Sequence, residues 1–269
     1  MGSPLLGSCR LALYLAWTVL LIPVQAVAVW ARLGFVRDRL PLLYHRVCCR
    51  IVGLELEVEG APSADRPTLF VSNHSSYLDI MVLGALIEGS FVAKTEVGTW
   101  PLFGLLAKLQ RSVFVDRRAR NADRHRDGVR ERLEARDNLI LFPEGTSSDG
   151  NRTLPFKTAL FAVSSMEVDG RPIRLQPVSV TATRLDGLPL GRALRPFYAW
   201  YGDMDLAPHL WEMVKLGRLR VAVRFHPPVA LEGFAGRKAL ADHCWRTIAR
   251  GVADANAGVA AGTESASRS

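Results

Sequence analysis

Cysteine is scarce in this 269-residue sequence, and no metal-type spacing is present. Cys9, Cys48, Cys49 and Cys244 make no C-x-x-C pair, and only His45 stands near the vicinal two. A zinc ribbon and a disulfide framework are therefore excluded, leaving small apolar residues in a reducing compartment. There is no internal repeat and no long linker, so the chain reads as one domain with an appendage. No G-x-S-x-G elbow occurs, and Ser75 and Ser76, within two residues of His74 in sequence, are poorly placed as hydrolase nucleophiles. Charged residues make up only 22% of the chain. The one arginine-dense stretch, 116–137, balances eight Arg with six acidic residues and carries Val129 and Leu133 at i, i+4. That is a solvated helix laced with ion pairs, with no aromatic-rich basic face for nucleic acid.

What is present is apolar and basic. Apolar residues are 49% of the sequence, enough for a large core, and the net charge of +8 suits an acidic partner or an anionic lipid surface. From Leu11 to Ala31 there are 21 uncharged residues between Arg10 and Arg32. As a helix this run is about 31 Å long, the thickness of a bilayer core. Pro23 and Gln25 weaken the case for a simple straight span, and Ala26-Val27-Ala28 resembles a cleavage site, although the run exceeds a typical signal core. Arg32, Arg37, Arg39, Arg46 and Arg50 follow the run against Arg10 alone before it, which orients the bulk of the protein to the cytoplasm. The expectation is a retained anchor over residues 1–52 at the inner membrane, spanning or in-plane. A folded domain at 53–254 and a disordered tail at 255–269 follow it.

Beyond the anchor, apolar runs predict strands near 54–59, 68–72, 90–93, 112–116, 138–142, 173–180 and 219–226. Helical patterns fall near 78–88, 101–110, 118–136, 157–165, 206–216 and 237–254. The alternation implies an α/β layered fold. Two of these strands end in chemistry. "VSNHSSYLDI" places His74 and Asp79 just after the second strand, and "LILFPEGTSSDG" places Glu144 in a Pro-Gly turn after the fifth. Ligands gather outside such strand ends in open α/β sheets. On one helix His74 and Asp79 would stand about 140° apart. They meet if His74 lies in the turn before the helix and Asp79 in its first turn, with Asn73 or Ser75 as the cap.

The Asn-His-x4-Asp segment and Phe142-Pro143-Glu144-Gly145-Thr146, with Ser112–Arg117 and Leu175–Val180 in the same order, resemble four blocks of the glycerolipid acyltransferase family. The likeness covers most of the chain. It implies a mixed sheet flanked by helices, and transfer of a fatty acyl group from an acyl carrier protein or coenzyme A thioester to a lysolipid hydroxyl. No metal and no cofactor beyond the thioester co-substrate are implied. An alcohol needs a base as its new C–O bond forms, and an imidazole, with an ordinary pKa near 6.5, suits the task. His74 is the expected base and Asp79 its orienting carboxylate. The resemblance assigns Glu144, Gly145 and Thr146 to acceptor orientation and Arg117 to the acceptor's polar head. Pro177 and Val178 line the acyl side or simply pack the core.

Ser147 stands where phosphatidate-forming members carry arginine, so one bidentate phosphate contact is missing. Relatives that acylate lyso-ornithine lipid, whose head has a carboxylate and an amine, look similar here, with Asp149 nearby. Lyso-ornithine lipid is therefore the expected acceptor and lysophosphatidate the alternative. A lipid hydrolase and a catalytically silent lipid-binding protein stand outside both.

Overall fold

The computed structural model describes residues 2–115 and 122–259. Arg117, the start of the arginine-dense stretch and residues 260–269 of the expected tail lie outside the described residues. Among the described residues there are seven α-helices: α1 (Pro4–Trp30), α2 (Gly34–Val52), α3 (Leu78–Gly84), α4 (Phe103–Leu109), α5 (Ala122–Glu134), α6 (Leu206–Val214) and α7 (Arg237–Ala257). The strands are β1 (Leu54–Glu59), β2 (Thr68–Ser72), β3 (Ser90–Lys94), β4 (Val113–Val115), β5 (Leu139–Leu141), β6 (Glu167–Val168), β7 (Arg171–Pro172), β8 (Arg174–Leu185), β9 (Leu188–Pro189) and β10 (Leu219–Phe225).

Strands β2 and β5 are buried at every position, as continuous apolar runs in a covered sheet must be. They lie at the centre of the order β1-β10-β8-β2-β5-β3-β4, with β9 turned back onto β8 and β6–β7 forming a separate ribbon. Strands β8, β2, β5, β3 and β4 run parallel, while β10 is antiparallel to β8 and parallel to β1. The strand period of two divides the core. Phe70, Ile140, Val178 and Val180 face α2, α3 and α6, whereas Leu69, Val71, Leu139, Leu141 and Leu175 face α5 and α7. Because β2 and β5 are parallel neighbours, the segments that follow them emerge side by side at one edge.

The expected strands are found within a few residues, except that β8 runs on to Leu185. The segment expected as a helix at 157–165 is 3-10 over Thr158–Ser165. The helix expected to reach residue 88 stops at Gly84, a poor helix former. A side chain at Gly84 would meet the His45 ring at 2.4 Å, so α2 and α3 pack closely there. Helix α7 extends to Ala257, past the expected start of the tail.

The expected anchor lies within a hairpin that packs against the domain along its length. Helix α1 is about 40 Å long at 27 residues and continues through Pro23. Its buried residues, Gly7, Tyr14, Thr18, Gln25 and Ala28, form one stripe. Arg10 donates to the carbonyls of Val214, Leu216 and Gly217, closing the C-terminal end of α6. The Thr18 hydroxyl meets that of Tyr44 at 3.0 Å, and Gln25 donates to the carbonyls of Arg37 and Leu109. The outward face is apolar: Trp30 is 86% exposed, Phe35 79% and Val19 66%. Polar side chains inward and apolar ones outward invert the soluble pattern and mark this face for lipid. Changing Val19 and Val27 together to Glu should leave folding unaltered within about 0.5 kcal/mol, since both point away from the domain. Co-sedimentation with vesicles should drop sharply; unchanged sedimentation would remove this face from the lipid contact.

Candidate active site

Asn73 extends β2 by imitating a strand residue. Its side-chain amide donates to the Val180 carbonyl at 2.8 Å and accepts from the Val180 N–H at 2.9 Å. This fixes the exit from β2, and the chain turns at His74 into α3. Asp79, in the first turn of α3, is wholly buried. Its Oδ2 accepts from His74 Nδ1 at 2.9 Å and from the Ser75 and Ser76 N–H groups at 2.7 and 2.9 Å. Its Oδ1 accepts from the Tyr198 hydroxyl at 2.7 Å. The Ser76 hydroxyl accepts from Leu78 N–H. The helix start is thus closed by Ser76 and Asp79, and neither Asn73 nor Ser75 is the cap: Asn73 is bound to β8 and Ser75 lends its N–H to Asp79.

An Asp79 contact at Nδ1 puts the ring proton there and leaves Nε2 with a free lone pair. The imidazole is the partly open member of the pair and stacks on Phe142, with centroids 4.2 Å apart and planes at 19°. Phe91 stacks behind Phe142 at 6.1 Å. Ser75 and Ser76 are both buried, which removes them as nucleophiles for a bound lipid.

Glu144 arrives beside His74 from β5, as the parallel register requires. Its carboxylate accepts the His74 N–H at 2.8 Å on one oxygen and the Leu154 N–H at 2.9 Å on the other. Both oxygens are engaged by backbone, so Glu144 secures the histidine turn to its own loop. Burial pushes this carboxyl up to about 8, against the two N–H donors, which favour the charged form. Gly145 follows at φ +67°, and a Cβ there would lie 2.8 Å from Lys157 Nζ. Thr146 is exposed and Ser147 half-buried on the same loop, while the next residue, Ser148, donates its N–H to the His74 carbonyl at 2.9 Å. Pro177 and Val178 are set apart from this group. They pair with Val71 and Ser72 in mid-sheet and are buried, in a packing position. Tyr198 carried no site signal in the sequence, and Phe142 stood in the Phe-Pro-Glu-Gly-Thr block without a role of its own. Tyr198 is 119 residues from Asp79 along the chain, and no local pattern marks it.

Residues 55–181 match the Acyltransferase family model. A lyso-ornithine lipid O-acyltransferase of Brucella abortus is 42% identical over 245 residues, covering 88% of this chain and 91% of that protein. The chain belongs to the acyltransferase family. A lyso-ornithine lipid O-acyltransferase of Rhizobium meliloti is 41% identical over 225 residues, 82% of this chain and 77% of that one. A 1-acyl-sn-glycerol-3-phosphate acyltransferase of Neisseria gonorrhoeae is 32% identical over 206 residues, 76% of each. The crystal structure of the 1-acyl-sn-glycerophosphate acyltransferase PlsC from Thermotoga maritima shares the fold, with a TM-score of 0.59 at 22% identity over 90% of this chain and 96% of that one.

In this acyltransferase, His74→Ala should cost on the order of 10²–10⁴-fold in rate with the fold intact. Full activity in that variant would remove His74 as the base. The buried Glu144 gives a separate handle. Its folded value of about 8 lies above the ordinary 4.5, so between those pH values the folded chain holds the proton more tightly than the unfolded one. Stability contributed by this proton is complete below about 4.5 and is lost as pH rises toward about 8. Thermal unfolding should show that decline in the wild type and a flatter profile in Glu144→Gln; parallel profiles would contradict it.

Proposed function

We propose that this acyltransferase moves a fatty acyl group from a thioester to the free hydroxyl of lyso-ornithine lipid. The observation that carries the reading is the His74–Asp79 pair: Nδ1 is tied to a buried carboxylate and Nε2 makes no hydrogen bond among the described residues. The Brucella and Rhizobium relatives, matched over most of their length, support the acceptor.

In the proposed reaction the acceptor hydroxyl gives its proton to His74 Nε2 as its oxygen attacks the thioester carbonyl. The C–O bond forms, the C–S bond breaks, and the imidazolium returns the proton to the departing thiolate. Asp79 steadies the imidazolium while it exists. The thioester is already activated, so the proposed route uses no enzyme nucleophile and no cofactor beyond acyl carrier protein or coenzyme A as the acyl carrier. Both carriers are acidic, and the +8 chain favours encounter with either. We place the domain at the cytoplasmic face of the inner membrane, with the apolar side of the α1–α2 hairpin in one leaflet. The fastening of α1 to its domain from Arg10 to Gln25 supports the in-plane placement over a lone span.

Purified protein given a labelled acyl thioester should yield diacylated product with lyso-ornithine lipid. Product with lysophosphatidate alone would replace the acceptor and keep the reaction. Free fatty acid without any acceptor would make the protein a hydrolase, and silence throughout would make it a binding protein.

A further inference from the structure

Two loops and a helix end converge on the backbone of the His74–Ser75 turn. The loop after β5 is joined to it by the Ser148 N–H on the His74 carbonyl, and the segment before α6 by the Trp200 N–H on the Ser75 carbonyl at 2.8 Å. Asn256 near the end of α7 donates to the Gly150 carbonyl at 3.2 Å. At Gly150, φ is +73°, and its Cβ position lies 3.8 Å from Ser75 Cβ, 3.8 Å from Ala199 Cβ and 3.9 Å from Arg195 Cδ.

Charged side chains stand around this junction. Asp149 accepts the Asn151 N–H at 2.9 Å, and the charges of Arg152, Arg192 and Arg195 all act with it. Arg195 Nη1 donates to Asn151 Oδ1, its Nε is buried with no acceptor, and Nη2 makes no hydrogen bond among the described residues. None of the three arginines closes an ion pair with Asp149 or another described acid. Three guanidinium charges act with one carboxylate here, a net +2, and Arg195 brings its own to the junction, with Cδ 3.9 Å from the Gly150 Cβ position that also neighbours Ser75; like charges held together are relieved by an anion. The lone carboxylate among them offers the opposite preference at the same spot.

We propose that Asp149, Arg152, Arg192 and Arg195 form the acceptor headgroup subsite, with the arginines taking the head's carboxylate and Asp149 its ammonium. This rests on the lysolipid acyltransferase reading and names the residues that choose the head. The subsite binds the head and leaves proton transfer to His74, so its loss falls on KM and spares kcat.

The test compares kcat/KM for lyso-ornithine lipid and for lysophosphatidate, which has no ammonium, in the wild type, Asp149→Asn and Arg192→Gln. Thermal unfolding is followed in each, and both substituted side chains lie outside the core. In Asp149→Asn the preference for lyso-ornithine lipid should fall about ten- to a hundredfold, the worth of one hydrogen bond between charged groups, through KM. Arg192→Gln should raise KM for both acceptors. An unmoved preference in Asp149→Asn, or equal losses on both acceptors, overturns the subsite. A wild type idle on lyso-ornithine lipid overturns the underlying reading instead.

Discussion

A carboxylate with no access to water organises the catalytic edge of this protein. Asp79 is tolerable in the core only because four donors surround it: one imidazole, two backbone amides and one phenol. Those donors come from the turn after β2 and from the segment that precedes α6. Meeting the needs of one buried charge therefore brings distant parts of the chain together, and His74, the proposed base, is one of the groups so gathered. One strand away Glu144 links backbone in a similar way, as a carboxyl that burial raises to about 8. It binds two backbone amides and so ties the His74 turn to the loop after β5. The site is stiff because its polar groups satisfy one another.

Much of this was legible in the sequence, for identifiable reasons. Buried parallel strands read as uninterrupted apolar runs, so β2 and β5 could be placed to within a residue. The chemistry follows directly after them, and the Asn-His-x4-Asp and Phe-Pro-Glu-Gly-Thr segments were visible without coordinates. Contacts between segments far apart in sequence were hidden. Tyr198 lies in a loop with no periodicity, and its part is set by where β8 and β9 deliver it. Glu144 was assigned to acceptor orientation by resemblance, and a turn carboxylate gives no sign in sequence that both its oxygens are taken by amides. Pro177 and Val178 read as acyl-side residues by resemblance, while their register against Val71 and Ser72 puts them in mid-sheet.

The N-terminal segment was partly legible, for a different reason. Hydropathy reports how apolar a helix is and says little about what each face meets. The stripe of Gly7, Tyr14, Thr18, Gln25 and Ala28 is diluted by the leucines and valines around it, so the run read as an anchor, spanning or in-plane, with no sign of what its inner face meets. The polar members of that stripe turn out to be the fastenings. Gln25 reaches α4, Thr18 reaches α2, and Arg10, just outside the uncharged run, reaches the end of α6.

Those fastenings make a rigid mount. Helix α6, held by Arg10 at its C-terminal end, carries His209, which contacts Tyr77 at 3.0 Å and the Pro196 carbonyl at 3.0 Å, beside both ends of the catalytic network. In the proposed placement and reaction, the height of His74 above the lipid plane is then set by the frame of the protein. On such a mount the enzyme meets its acceptor by lateral diffusion in two dimensions. Turnover follows the mole fraction of lysolipid in the surface, and diluting that surface with inert lipid slows the reaction even when the bulk concentration of acceptor is unchanged.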